Sequence, residues 1–264
     1  MVTARTYEVP VDGKGTVEVA VSERGEGLAF LLLHGGGGPL TVSGFADLLA
    51  GERHARVITP THPGFAGTPR PDWLTSISGL AALYAALLDE LDVTGVTVVG
   101  NSIGGWIAAE MALLESTRVS SFVLVDAAGI EVPGHPIADF FALTPRQVAE
   151  FSYHDPDRFG IDPTKLPPEA QKAMAGNRAT LAVYGGTSMN DTRLAERLAS
   201  VSTPTLVVWG GSDRIVDPDY GRAFAEAIPG ARFQLIPESG HLPQIETPGQ
   251  LVDAVWAFAE SHAR

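Results

Sequence analysis

The sequence predicts an α/β fold, a mostly parallel sheet flanked by helices and interrupted once by an inserted helical segment. Three observations predict it. Continuous apolar runs at Leu28–Leu33, Val96–Val99, Phe122–Val125 and Thr205–Trp209 read as strands covered on both faces. Helical periods lie between them: Leu80, Leu83, Tyr84, Leu87, Leu88 and Leu91 recur at steps of three and four, as do Leu251, Val252, Val255, Trp256 and Ala259. From about residue 131 to 200, by contrast, no buried strand can be read.

Strands that alternate with helices form parallel sheet through right-handed crossovers. In chain order, Tyr7–Val11 and Thr16–Val21 alternate apolar and polar residues around Asp12-Gly13, which predicts a hairpin with one wet face. Leu28–Leu33 opens the parallel part and runs into a string of glycines. Val96–Val99 leads into the helical stretch Trp106–Leu114, and Phe122–Val125 follows. The strand-free region carries Pro-punctuated pieces at Ala138–Leu143, Pro145–Phe151, Pro168–Tyr184 and Thr192–Ala199, each expected to be helical. Alternation resumes at Thr205–Trp209 and ends with Phe233–Ile236 and the last helix. The expected organisation is a core over 1–130, a helical cap over 131–200, and the remainder of the core over 201–264.

Composition narrows the chemistry. The 264 residues include 31 Asp and Glu against 18 Lys and Arg, a net charge of −13, and no cysteine. Such an acidic balance disfavours nucleic acid, whose phosphates call for a basic face. Without cysteine there is no disulfide, thiol nucleophile, iron–sulfur cluster or Cys-based zinc site. No histidine spacing suits a zinc hydrolase, so neither metal nor cofactor is expected. The apolar run Leu28–Leu33 is six residues long, against the ~20 that span a bilayer. The expectation is a cytoplasmic protein whose partner is a small-molecule substrate, not a membrane; oligomeric state has no signature. Any nucleophile is an oxygen or a nitrogen.

One hydroxyl stands out. Gly100-Asn101-Ser102-Ile103-Gly104-Gly105 follows a strand and precedes a helix, the G-x-S-x-G pattern of a nucleophile elbow. Small flanking residues permit a tight turn, and a helix N-terminus favours developing negative charge. His34-Gly35-Gly36-Gly37-Gly38-Pro39 lacks the Lys and Ser/Thr of a phosphate loop. Its free backbone suits the other half of an oxyanion hole, Gly36 N–H opposite Ile103 N–H. His34 is expected to anchor that loop.

A serine needs a base, and the base an orienting acid. Among seven histidines, His241 lies in the loop after the final strand, where this topology returns a side chain over the elbow. His62 also follows a strand and is expected to serve turn structure. Asp213, 28 residues before His241, is the favoured acid; Asp126, at the end of Phe122–Val125, is the alternative, and Asp217 suits a helix cap.

The chain here resembles the α/β-hydrolase superfamily, through His34–Pro39, Pro63-Gly64-Phe65-Ala66-Gly67, Gly100–Gly105, Gly210–Asp213 and Ser239–His241 in the family's order. The resemblance covers nearly the whole chain. It implies an eight-stranded sheet, with the acid after the seventh strand and the histidine after the eighth, matching Asp213 and His241. Ser102 argues against dehalogenase and epoxide-hydrolase chemistry, in which that position is Asp. Gly-Asn-Ser-Ile-Gly-Gly and the His-Gly-Gly-Gly opening look most like carboxylesterases and the C–C hydrolases of aromatic ring-cleavage products. In the latter a cap arginine binds a substrate carboxylate, which implies that role for Arg178. Those enzymes carry an aromatic residue after the histidine, where this chain has Leu242. The leading expectation is a serine hydrolase of small carboxylic esters or lactones; C–C bond hydrolysis and a non-hydrolytic binding protein are the alternatives. Gly37, Arg178, Phe140, Leu181 and Leu242 are candidate substrate contacts, and Phe141, Leu143, Met174 and Tyr184 further pocket candidates.

Overall fold

The computed structural model describes residues 2–263. The N-terminal hairpin forms as expected: β1 (Val2–Val11) pairs antiparallel with β2 (Gly15–Arg24), closing at Val11 opposite Gly15. β3 (Leu28–Leu33), α1 (Leu40–Glu52) and β4 (Ala55–Pro60) follow, then α2 (Ile77–Glu90), β5 (Val96–Asn101), α3 (Ile103–Ala112) and β6 (Val119–Val125). Between β6 and the next strand run α4 (Pro145–Ser152), α5 (Pro156–Phe159), α6 (Pro168–Gly185) and α7 (Leu194–Leu198). The chain closes with β7 (Thr205–Gly210), α8 (Pro218–Glu226), β8 (Arg232–Ile236), α9 (Pro243–Glu246) and α10 (Pro248–His262).

The eight strands form one sheet in the order β1-β2-β4-β3-β5-β6-β7-β8, parallel from β4 to β8. Side-chain alternation explains the continuous apolar runs. On β3, Leu31 and Leu33 belong to the core on the face covered by α2, α3 and α8, while Phe30 and Leu32 belong to the core under α1 and α10 on the opposite face. Every residue of β5 and β7 is buried. Each large aliphatic side chain removed from water contributes roughly 1.5–3 kcal/mol, so two covered faces stabilise strands that alternate no polar residues. The leucines that predicted α2 form its buried stripe, and Ser76 caps it by accepting the Gly79 N–H at 3.1 Å.

The region between β6 and β7 holds helices and no strand of the sheet, but one expected helix is absent. Ala138–Leu143 forms turns. Its backbone is drawn elsewhere: Ala138 N–H donates to Ile215 O at 2.8 Å, and Arg178 Nη2 donates to the carbonyls of Phe140 and Phe141 at 3.0 and 2.8 Å. The piece at Thr192–Ala199 is helical only over α7. That short helix is tied to the core where Arg197 grips the buried Glu110 of α3 with two hydrogen bonds of 2.6 and 2.8 Å. No helix among the described residues is long and apolar enough to cross a membrane.

Candidate active site

The loops at the carboxyl ends of β3, β5, β6, β7 and β8 converge, the usual ligand-binding edge of an open α/β sheet. Ser102 sits between β5 and α3 at φ 57°, ψ −119°, a strained conformation held from both sides. Its N–H donates to Val125 O at 3.0 Å, and its carbonyl accepts from Trp106 N and Ala128 N at 3.1 and 3.2 Å. Side chains at Gly100 or Gly104 would run into the Gly104 carbonyl or the Leu33 carbonyl, so the turn tolerates glycine there. The Ile103 N–H has no acceptor among the described residues, and neither has that of Gly36. Both are free to receive an anionic oxygen.

His241 is buried and its backbone is clamped. Its N–H donates to Ser152 O at 2.7 Å, and Asn101 Nδ2 donates to its carbonyl at 2.9 Å. Its ring Nδ1 lies 2.7 Å from Asp213 Oδ2. Asp213 is itself fixed by two N–H donors, Ile215 at 2.8 Å and Val216 at 3.1 Å, both onto Oδ1. An acceptor at Nδ1 sets the tautomer that leaves Nε2 unprotonated. Ser102 and His241 line the same cavity without a hydrogen bond between them, a looseness that substrate commonly tightens. Asp126 is fully buried and makes no hydrogen bond to His241; its Oδ1 accepts the Gly210 N–H at 2.8 Å. Burial, reinforced by the neighbouring Asp213, pushes its carboxyl well above the ordinary range. Asp217 caps α8, accepting from Asp219 N and Tyr220 N.

The glycine loop rests on two buried imidazoles. His34 Nε2 accepts the His62 N–H at 3.1 Å while its Nδ1 meets Gly35 O at 2.8 Å. His62 Nε2 reaches His34 O at 2.9 Å, and its Nδ1 meets Tyr84 Oη at 2.5 Å. One proton per ring satisfies every partner, so both are neutral. Burial lowers His34 to about 4 and His62 well below its ordinary value.

The cavity over Ser102 has a volume of about 120 Å³. Gly37, Phe140, Leu181 and Leu242, four of the five predicted substrate contacts, line it together with Gly36, the expected oxyanion donor. An outer chamber of about 540 Å³ shares Gly36, Phe140 and Val148 with it. Arg178 lines only that outer chamber, half-buried and stacked 4.8 Å from the Phe140 ring centroid. Leu143 and Met174 also face the outer chamber, whereas Phe141 and Tyr184 line neither space. Tyr184 donates its hydroxyl to Pro63 O and stacks on Phe65. Sequence reasoning missed Asn177, whose Oδ1 accepts the Ala66 N–H at 2.8 Å while Nδ2 donates to Gly37 O at 3.1 Å. The available signal was spacing: Asn177, Leu181 and Tyr184 share one face of α6.

The model of the alpha/beta hydrolase family matches residues 30–254. The chain belongs to that family. Among similar members is the 2-hydroxy-6-oxo-6-(2'-aminophenyl)hexa-2,4-dienoic acid hydrolase of Metapseudomonas resinovorans, 28% identical over 94% of this chain and 90% of its relative. The 2-hydroxymuconate semialdehyde hydrolase of Pseudomonas putida is 28% identical over 85% and 84%. In structure, this alpha/beta hydrolase superimposes on a thermophilic esterase from Thermogutta terrifontis with a TM-score of 0.78, covering 99% of this chain and 100% of that one at 24% identity. That last likeness speaks for the fold.

Proposed function

We propose that this alpha/beta hydrolase is a serine hydrolase of small carboxylic esters or lactones, working through an acyl-enzyme on Ser102. The observation that carries the reading is the convergence of a strained serine, two free N–H donors and an Asp-oriented imidazole on one small, mainly apolar cavity.

Ser102 Oγ attacks the substrate carbonyl carbon as His241 Nε2 takes its proton. Gly36 and Ile103 N–H groups receive the oxyanion. Collapse of the tetrahedral intermediate expels the alcohol, which leaves with the proton from His241. Water then attacks the acyl-enzyme, gives a proton to the same nitrogen, and the returning proton restores Ser102. Asp213 keeps the tautomer and stabilises the imidazolium formed twice per turnover.

We read residues 131–200 as a cap that roofs this cavity. About 120 Å³ accommodates roughly four water-sized groups, which suits a short group next to the scissile bond. The groups lining it carry no side-chain charge other than what His241 acquires, which favours a neutral substrate.

The names of the relatives support a second reading, hydrolysis of a C–C bond in a ring-cleavage dienoate. There Arg178 would hold a carboxylate through the N–H groups that Nη2 leaves over, and it lines only the outer chamber, away from the cavity that holds Ser102. A p-nitrophenyl ester series compared with such a dienoate decides between them. Rapid turnover of the acetate and butyrate, with little on the dienoate, is expected; the reverse ranking overturns the ester reading.

A further inference from the structure

Two carboxyl groups lie at the back of His241, and the proposed chemistry uses only one. Asp126, Asp213 and His241 each bring a nitrogen or oxygen atom within 4.8 Å of the others, and all three are buried. Asp213 is accounted for: Oδ1 takes two backbone N–H groups and Oδ2 the imidazole. Asp126 is half accounted for. Its Oδ1 accepts from Gly210 N, and its buried Oδ2 has no protein donor. The backbone around it is fixed, since Asp126 N–H donates to Val208 O at 3.0 Å and the residue holds φ 46°.

The charged groups acting on Asp126 are Asp213 and Glu246, both acids, with His241 beside them. A bare carboxylate with one donor, fully buried against a second carboxylate, has nothing to offset its desolvation. A protonated one satisfies every atom: Oδ1 accepts from Gly210, and Oδ2–H donates to the neighbouring carboxylate, whose Oδ2 has a lone pair left. Two buried acids with oxygens within 4.8 Å of each other disfavour a second negative charge, and paired carboxylates elsewhere meet that by sharing one proton.

We propose that Asp126 is a positioning residue: held as the neutral acid, it donates a hydrogen bond to Asp213 and thereby tempers the pull of that carboxylate on the His241 imidazole. The inference rests on the Ser102–His241–Asp213 reading above. A donor on Asp213 spreads its charge, so the imidazolium is stabilised less than by a bare carboxylate and releases its proton more readily to a leaving alkoxide. Asp126 acts through Asp213 and touches no substrate.

The test is an NMR titration of ¹³C/¹⁵N-histidine-labelled protein, which reads His241 whether or not any ester is turned over. Asp126→Asn keeps a neutral donor and an acceptor in the same places, so the His241 midpoint is expected to stay at the wild-type value. Asp126→Ala deletes the donor, and the midpoint is expected to rise by about 0.5–1 pH unit, the acid limb of kcat/KM moving with it. If Asp126 were ionised, both substitutions would remove a negative charge and lower the midpoint. That result, or no change in either variant, overturns the proposal. Should the alanine variant fail to fold, the proton itself is read instead. A protonated-carboxyl C=O stretch present in the wild type at pH 8 and lost in Asp126→Asn supports the assignment, and its absence from the wild type overturns it. A Ser102→Ala protein that still hydrolysed esters would refute the triad reading while leaving these signals untouched.

Discussion

His241 Nδ1 lies 2.7 Å from Asp213 Oδ2, and the other oxygen of that carboxylate accepts the backbone N–H groups of Ile215 and Val216. Both ends of the pair are therefore pinned, one by the loop after β7 and the other by Asn101 and Ser152. Replacing Asp213 with Asn changes few contacts in shape, but the amide can present N–H to Nδ1 and so stabilise the wrong tautomer. The expected outcome is a fall in kcat of about 10³–10⁴ with KM little changed. Steady-state kinetics on a p-nitrophenyl ester checks it, with circular dichroism confirming the fold.

Asn177 fastens α6 to both the glycine loop and the Pro63–Gly67 turn. Asn177→Ala leaves the Ala66 N–H and the Gly37 carbonyl without their buried partner. A loss of about 1–3 kcal/mol is expected from denaturant unfolding. Because Gly37 adjoins the Gly36 donor, kcat is expected to drop more than KM rises.

Local and long-range information divide clearly between these two residues. The elbow around Ser102 was legible because its glycines fall in one short run between a strand and a helix, even though the atoms that demand them at Gly104 and Gly105 belong to Leu33 and Ala127 of neighbouring segments. The parallel core was legible for a similar reason, since burial on both faces writes itself as unbroken apolar runs. Asn177 was not, because its partners lie some 110 to 140 positions away. The family resemblance instead drew attention to the adjacent Arg178, whose guanidinium ties down the turn at Phe140 and Phe141. The same contact explains why Ala138–Leu143, apolar enough for a helix, is not one: those carbonyls accept from Arg178. The preference for Asp213 over Asp126 matched the resemblance, which puts the acid after the seventh strand, while their proximity to each other came only from the sheet register, which sets Val125 against Val208.

Acid should loosen the fold before the surface carboxylates titrate. His34 and His62 stay neutral when folded, with His34 at about 4, whereas an unfolded histidine takes its proton near 6.5. Between those values the unfolded chain binds two protons that the folded one does not, so stability falls as pH falls. Asp126 works the other way, since its raised value lets the folded chain keep one proton that the unfolded chain releases. The half-buried His135, raised by its hydrogen bond to Asp217, opposes the fall as well, weakly. The two histidines outweigh the single acid, so stability is expected to fall as pH drops from roughly 6 to 4.5. Urea unfolding across that range checks the slope. Asp126→Asn removes the main opposing proton, so its fall is expected to be steeper and its advantage over the wild type largest at high pH.

Gly36 sits under the Leu181 side chain, and a methyl placed on it would come 2.7 Å from Leu181 Cδ2. Gly36→Ala is expected to narrow the cavity and reduce kcat/KM more for butyrate than for acetate esters. Leu181→Ala in the same protein opens the space again and is expected to restore most of the butyrate rate. Additive losses in the double variant would mean that the two residues do not share the cavity wall in solution.

The central claim is that the reaction passes through Ser102. Rapid quenching of the enzyme with a p-nitrophenyl ester, followed by peptide mass spectrometry, tests it most directly. The expected result is a stoichiometric acyl adduct on the peptide containing Ser102 and a burst of p-nitrophenolate, both lost in Ser102→Ala along with turnover. A Ser102→Ala protein that hydrolyses the ester at the wild-type rate, or an adduct on another residue, would contradict the account.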